Sequence, residues 1–333
     1  MKDIIINNYT GDINALLTAT PNQNGTAVEK FAYEIIRHYN NSEGAKNVYI
    51  DGVPLATDGD QLILPETREY IQRVQDVPNA TVVDVKSVNS DIKKLKELGV
   101  WNDVSFFWHY KAGRLLDTGR FSRIFDVKTR AVTPALYDYA QGTAGLQPTM
   151  RSDGSMLCDD ANKYLLGESL AKNAFRNLTE MTVIIVATPL GVPSNLAPYI
   201  IATNTSGVTR LSLAVDNARK NRFGGRIDDS TGTLIFAVYG TERALAKQVI
   251  CGTFEIGDVA YINHNNSANA VNTAFHATGQ IPDTEPTLVS IGALPSNTTI
   301  NANIYAILVL PKVYSASIRD GIVAYFMEKE GIA

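Results

Sequence analysis

The feature that most constrains this chain is a train of short, strand-length apolar runs that begins after Trp101 and continues to Leu310 with turn residues between its members. Met181 to Ala187 (MTVIIVA), Tyr199 to Thr203, Val208 to Val215 (VTRLSLAV), Thr233 to Tyr239, Lys247 to Cys251, Val259 to Asn263, Leu288 to Ile291 and Ile304 to Leu310 (IYAILVL) are separated by Gly, Pro, Asn, Asp, Ser and Thr. Strands that recur without long helices between them pair antiparallel, and a tract this long closes best as a two-sheet sandwich of jelly-roll type. MTVIIVA and IYAILVL are almost continuously apolar, which predicts central strands covered on both faces. VTRLSLAV is expected to expose Thr209 and Ser212 on one side.

The amino-terminal part has a different texture. Val28, Phe31, Ala32, Ile35, Ile36 and Tyr39 recur at helical spacing after Thr26, a predicted N-cap. NVYIDGV (47–53) alternates like a half-buried strand ending at Pro54, Leu62 to Leu64 reads as a short strand, and Pro65 opens a helix through Ile71 and Val74 that Pro78 halts. With TVVDV (81–85) as a further strand, residues 1–86 form a small α/β domain. Residues 87–98 form a connector helix, with Val88, Ile92, Leu95 and Leu98 on one face and Lys93, Lys94, Lys96 and Glu97 on the other, ended by Gly99. Residues 99–333 are the jelly roll, closed by a helix in which Ser317 and Asp320 read as a capping box and Ile318, Ile322, Tyr325 and Phe326 as the apolar stripe. The fold class is therefore mainly β, a small α/β domain leading into an antiparallel sandwich closed by a C-terminal helix.

Composition excludes some functions. With 45% hydrophobic residues in 333 the chain can bury substantial cores, and a formal charge of -4 gives polyanions no general attraction, so nucleic acid is not an expected partner. MKDIIINNYTGD has neither the apolar core of a signal peptide nor the length to span a bilayer, and membrane insertion is not expected. Cys158 and Cys251 read as two small buried residues on strands.

Motifs for chemistry are sparse. The acidic pairs Asp159, Asp160 and Asp228, Asp229, and the Asp58, Gly59, Asp60 triplet, lack the alternating oxygen-ligand spacing of a calcium loop and read as turns. Glu168, Glu180, Glu242, Glu255 and Glu285 sit singly in polar surroundings, and His38, His109, His264 and His276 are scattered without metal or nucleophile spacing. His109, in FFWHY, is expected to pack in the core or at an edge. These readings give no catalytic residue, no metal, no cofactor and the expectation that the chain is not an enzyme. The densest candidate for recognition is YINHNN, since flat rings stack on sugar faces and amides supply directional hydrogen bonds. Its residues Tyr261, Asn263, His264, Asn265 and Asn266 are the candidate glycan-binding set, against the alternative of a polar hairpin loop. The one concentrated basic run, Arg219 to Arg226, reads as a solvated strand connection or a partner for acidic residues of an adjacent copy, against the alternative of contact with nucleic acid or an anionic surface polymer.

Leu98, Gly99 and Trp101, then Tyr110 to Gly113 (YKAG), then Ile124 to Val127 (IFDV) follow an order that resembles virion proteins of tailed bacteriophages carrying a concanavalin A-like (laminin G-like) jelly roll. Gln147, Pro148, Asp153, Gly154, Leu157, Asp159, Tyr164 and Leu165 match the family's next phrase, and the end of the chain from Ile304 resembles its last strand and closing helix. Asp160 and Ala161 depart from the family's Asp-Gly turn. The resemblance covers roughly residues 95 to 333. It implies a concanavalin A-like sandwich in a structural protein of the virion, of head-fibre, capsid-decoration or tail-fibre type, assembled in the host cytoplasm. It also implies capsid or tail proteins as partners, a symmetric homo-oligomer with a trimer favoured, and adhesion to host surface polysaccharide. Residues 1–86 would be the attachment domain. A glycan-depolymerising enzyme of a phage tail, a receptor-binding tail fibre, and a cellular carbohydrate-binding module are the competing expectations.

Overall fold

The structure, a computed structural model, describes residues 2–6, 45–50, 53–57, 61–128, 134–159, 163–191, 193, 196–204, 209–225, 235–238, 245–255, 260–265, 270–272, 287–294 and 298–332. The helix expected over residues 26–39 lies outside them. A small sheet opens the chain: Lys2–Ile6 pairs parallel with Ala45–Ile50, which pairs antiparallel with Val53–Thr57, followed by Gln61–Leu62. Pro54 falls inside the third of these strands rather than ending the second, and a register shift between Val48 and Tyr49 lies beside its pairing position.

Three helices are present among the described residues: α1 (Pro65–Gln75), α2 (Val85–Glu97) and α3 (Ala316–Lys329). Pro65 starts α1 where its missing N–H costs nothing, and Asp84 caps α2 by accepting the Ser87 N–H at 2.9 Å. Helix α3 begins two residues before the expected capping box. Its N-cap is Ser315, whose side chain makes no capping hydrogen bond, while its carbonyl accepts from the N–H groups of Ile318 and Arg319. Tyr70 and Val74 of α1 and Val88, Ile92 and Leu95 of α2 enter the same hydrophobic core as the sandwich, so the chain on both sides of residue 86 contributes to it.

The body is an antiparallel sandwich. In one layer Ala302–Leu310 is central, between Glu180–Pro189 and Phe106–His109; Gln248–Glu255, Ala260–His264 and Ala270–Asn272 continue the sheet. The facing layer runs through Gly113–Asp117, Arg120–Ile124, Tyr139–Ala140, Leu165–Gly167, Leu288–Ile291, Ala197–Thr203, Thr209–Val215, Asn221–Gly225 and Ile235–Val238. The short hairpin of Thr149–Met150 and Met156–Cys158 bonds to both layers and makes the ladder continuous. All nine residues of Ala302–Leu310 are buried, as the unbroken apolar run predicts.

Between the layers, Trp108 meets Phe121 edge-on at 6.0 Å, and Phe106 lies 4.6 Å from Tyr139. Gly252 supports the same closeness: a Cβ there would overlap the ring of Phe223 across the core. Burial of each such large side chain contributes about 1.5–3 kcal/mol. The expectation of an exposed Ser212 fails, because its strand is covered on both faces and Ser212 is 1% exposed. Helices α2 and α3 lie against the outer face of the first layer, where Phe107 packs on Phe326.

Candidate functional site

Strand alternation divides the YINHNN residues. Ala260–His264 pairs with Gln248–Glu255 so that Tyr261 stands opposite Thr253, Asn263 opposite Cys251, and His264 opposite Ile250. Successive side chains point to opposite faces. Tyr261, Asn263, Thr253 and Cys251 therefore share the outer face, beneath α3. Ile262, Gly252 and His264 share the inner one, toward Phe223. His264 is half-buried there, and burial lowers its pKa. Asn265 follows the strand with a φ of 46°, and its side-chain oxygen accepts the Val249 N–H of the neighbouring strand at 2.7 Å. Asn266 lies outside the described residues.

The structure thus brings together Tyr261 and Asn263 of the sequence-derived set and separates His264 from them. On the outer face these two line a small recess with Cys251, Thr253 and three residues from α3, Arg319, Asp320 and Val323. The hollow has room for about 10 Å³, the scale of one water molecule, so it admits a single substituent of a larger ligand and not a ring. Tyr261 is half-buried at its edge, and Arg319 donates from Nη1 to Thr253 Oγ1 at 3.3 Å. The result is an aromatic face, an amide, a hydroxyl, a cation and a carboxylate around one opening. Sequence reasoning missed Thr253, Arg319 and Asp320, because the packing of α3 on this sheet is a long-range event that no local pattern announces.

At the opposite end of α3 lies an ionic network with a buried centre. His109 Nε2 is 2.9 Å from Glu330 Oε1, Lys247 Nζ is 2.8 Å from Glu330 Oε2, and Lys329 pairs with Asp91 of α2. Tyr325 donates to Asp91 Oδ1 at 2.7 Å. The side chains of His109 and Asp91 are 0% exposed and that of Glu330 is 1% exposed. Burial pushes the Glu330 carboxyl up, but the hydrogen bonds from His109 and Lys247 outweigh it and hold the group down at about 2. His109 is therefore a core residue, as expected, with a carboxylate partner that the sequence did not indicate.

Elsewhere, Arg222 of the basic run pairs with Asp216 at 2.6 Å within its own hairpin. Asp138 is held by Arg73 at 2.9 Å, yet burial dominates and raises its pKa to about 7. Both cysteines are free thiols buried on strands, and burial raises the pKa of each, that of Cys251 to about 12. Among the described residues no group of three or more His, Cys, Asp or Glu side chains is placed to hold a metal ion. Asp160, Asp228 and Asp229 lie outside those residues.

No protein-family model matches the chain, and no curated protein matches it. Among solved structures it is similar to a Trypanosoma rangeli sialidase in complex with the inhibitor DANA, at 12% identity and a TM-score of 0.44 over 72% of this chain. The chain spans 38% of that sialidase's length. It is similar also to the CBM40 of a Ruminococcus gnavus IT-sialidase bound to α2,3-sialyllactose, at 12% identity and a TM-score of 0.35, covering 44% of this chain and 83% of that one. Sandwiches from carbohydrate-acting and carbohydrate-binding proteins are thus what the chain is similar to. Likenesses at this level do not say what it binds or does. They do correct one expectation: because the similar structures include sialidases, which are enzymes, the assignment of the chain as not an enzyme is withdrawn.

Proposed function

We propose that the chain recognises glycans through the outer-face recess beneath α3, with a sugar ring lying on Tyr261 and one ring substituent entering the opening. The observation that carries this reading is the convergence of Tyr261 and Asn263 with Thr253, Arg319 and Asp320 around one recess. Few polar groups beside an aromatic face are the usual chemistry of sugar recognition. In this reading Tyr261 supplies contact area and Asn263 directs hydrogen bonds, while His264 belongs to the scaffold. An array of bacterial surface polysaccharides probed with the wild-type chain and Tyr261→Ala tests it. Binding by the wild type and an at least tenfold loss in the variant, with an unchanged unfolding midpoint, is expected. Equal binding by both removes the recess from the function.

The setting we infer is a tailed-phage particle, head or tail, on which residues 1–86 attach and the sandwich projects as one arm of a symmetric oligomer, a trimer being favoured. The support is the ordered resemblance from Leu98 to Leu165 and at the carboxyl end. Immunogold labelling of intact particles is the test: gold on the particle surface is the expected result, and its absence from purified virions overturns this setting without touching the recess.

A further inference from the structure

His109 ends the strand Phe106–His109, and its two ring nitrogens face different partners. The Lys111 N–H donates to Nδ1 at 3.4 Å. A backbone N–H can only donate, so Nδ1 is bare, the ring proton is on Nε2, and Nε2 donates to Glu330 Oε1 at 2.9 Å. The ring is therefore neutral, and lysines balance the two carboxylates: Lys329 pairs with Asp91 and Lys247 with Glu330. One atom is left over. Asp91 Oδ2 is buried and has no hydrogen-bond donor among the described residues, although Oδ1 of the same carboxylate accepts from Lys329 and Tyr325. It lies 4.0 Å from His109 Nδ1, about 1 Å beyond a charge-assisted hydrogen bond. A buried carboxylate oxygen without a donor is costly, and Nδ1 can supply one only by taking up a proton.

We propose that His109 is a proton-driven latch, which on taking a proton at Nδ1 exchanges Lys111 for Asp91 and draws α2 against the end of its strand. The surrounding groups set the sign. Asp91 and Glu330 favour an imidazolium, Lys247 and Lys329 oppose it, and the unmet Oδ2 tips the balance toward Asp91. Glu330, held at about 2, stays ionised where an imidazole changes charge. Tyr110, whose ring lies 4.7 Å from that of His109, is raised to about 12 by burial, and Tyr325 is raised by burial and by Asp91, so neither titrates there. The bond to Asp91 is thus present in acid and lost as the proton leaves. The Lys111 N–H released in exchange belongs to the turn that carries the start of α2: the Lys111 carbonyl accepts the N–H of Asp84, the N-cap, at 2.9 Å, and Lys111 Nζ is 3.9 Å from the Asp84 carboxylate. Asn89 of α2 in turn accepts the Leu64 N–H at 2.8 Å and the Thr67 hydroxyl at 2.9 Å at the start of α1. The latch therefore acts on the two helices through which the chain passes from the small sheet into the sandwich.

The test measures unfolding constants of the full chain, His109→Gln, Asp91→Asn and the double variant by urea denaturation at pH 5.5 and at pH 8. The cycle isolates the His109–Asp91 interaction and cancels Asp138, which titrates in the same window but has Arg73 and Arg123 as its partners. The coupling is expected to favour the folded state at least tenfold more at pH 5.5 than at pH 8. Coupling that is equal at the two pH values, or larger at pH 8, makes the contact merely structural and overturns the latch. Wild-type chain labelled with 15N-histidine gives a reading that needs no variant to fold. Expected is a His109 ring with a bare Nδ1 at pH 8 and both nitrogens protonated at pH 5.5, with the Lys111 amide proton moving upfield as its acceptor is lost. A ring in the same state at both pH values overturns the proposal whatever the cycle shows.

Discussion

The two ends of α3 treat charge in opposite ways. At the carboxyl end, Glu330, Lys329, Asp91, His109 and Lys247 exchange short contacts, with His109, Asp91 and Glu330 buried and the two lysines reaching toward solvent. At the amino end Arg319 reaches a hydroxyl and an opening. Sealed ions must be matched within the fold, since an unpaired buried charge costs several kcal/mol. A half-exposed ion can be left for something that arrives. The contrast separates residues that fix the helix from residues available for recognition, on one element of 14 residues.

That contrast can be broken most severely at Glu330. Glu330→Ala leaves His109 and Lys247 facing a void and is expected to lower unfolding stability by about 3–5 kcal/mol, read by urea denaturation. A loss below 1 kcal/mol would mean that the network holds nothing. A smaller effect follows from pH. Because the folded Glu330 pKa lies near 2, below the ordinary 4.5, its contribution is complete above that ordinary value and is lost as pH falls from 4.5 toward 2. Asp138 has the opposite sign: raised to about 7 from 3.8, it favours the folded state when protonated, and its contribution fades as pH rises through 7. Denaturation midpoints measured from pH 3 to 8 should show both trends, with Glu330→Gln flattening the acid limb and Asp138→Asn the neutral one. The smallest effect belongs to the open end. Arg319→Gln should change stability by no more than about 0.5 kcal/mol, and a loss comparable to that of Glu330→Ala would place Arg319 in the structural network instead.

Legibility in the sequence followed the range of the interaction. MTVIIVA and IYAILVL announced buried central strands because a strand covered on both faces needs no polar alternation. Pro65 and Pro78 bracketed α1 for local steric reasons. Ser212 misled because a polar residue in an alternating strand signals solvent only where that face is open. Ser317 misled because the chain enters α3 two residues earlier, at Ser315, without a side-chain capping bond. For the recess, the pleat makes Tyr261 and Asn263 neighbours from sequence alone, whereas Arg319 and Thr253 join them only through docking of the last helix. The contact of Glu330 with His109 joins residues 221 positions apart, beyond any local pattern.

The two cysteines are core residues, but their positions make them reporters. Cys251 sits under the amino end of α3, while Cys158 lies on the hairpin that stitches the two layers, against Gly292. An alkylating reagent that finds the first before the second times the lifting of the lid; simultaneous modification times the parting of the walls. The chain carries its own pair of clocks for how it comes undone.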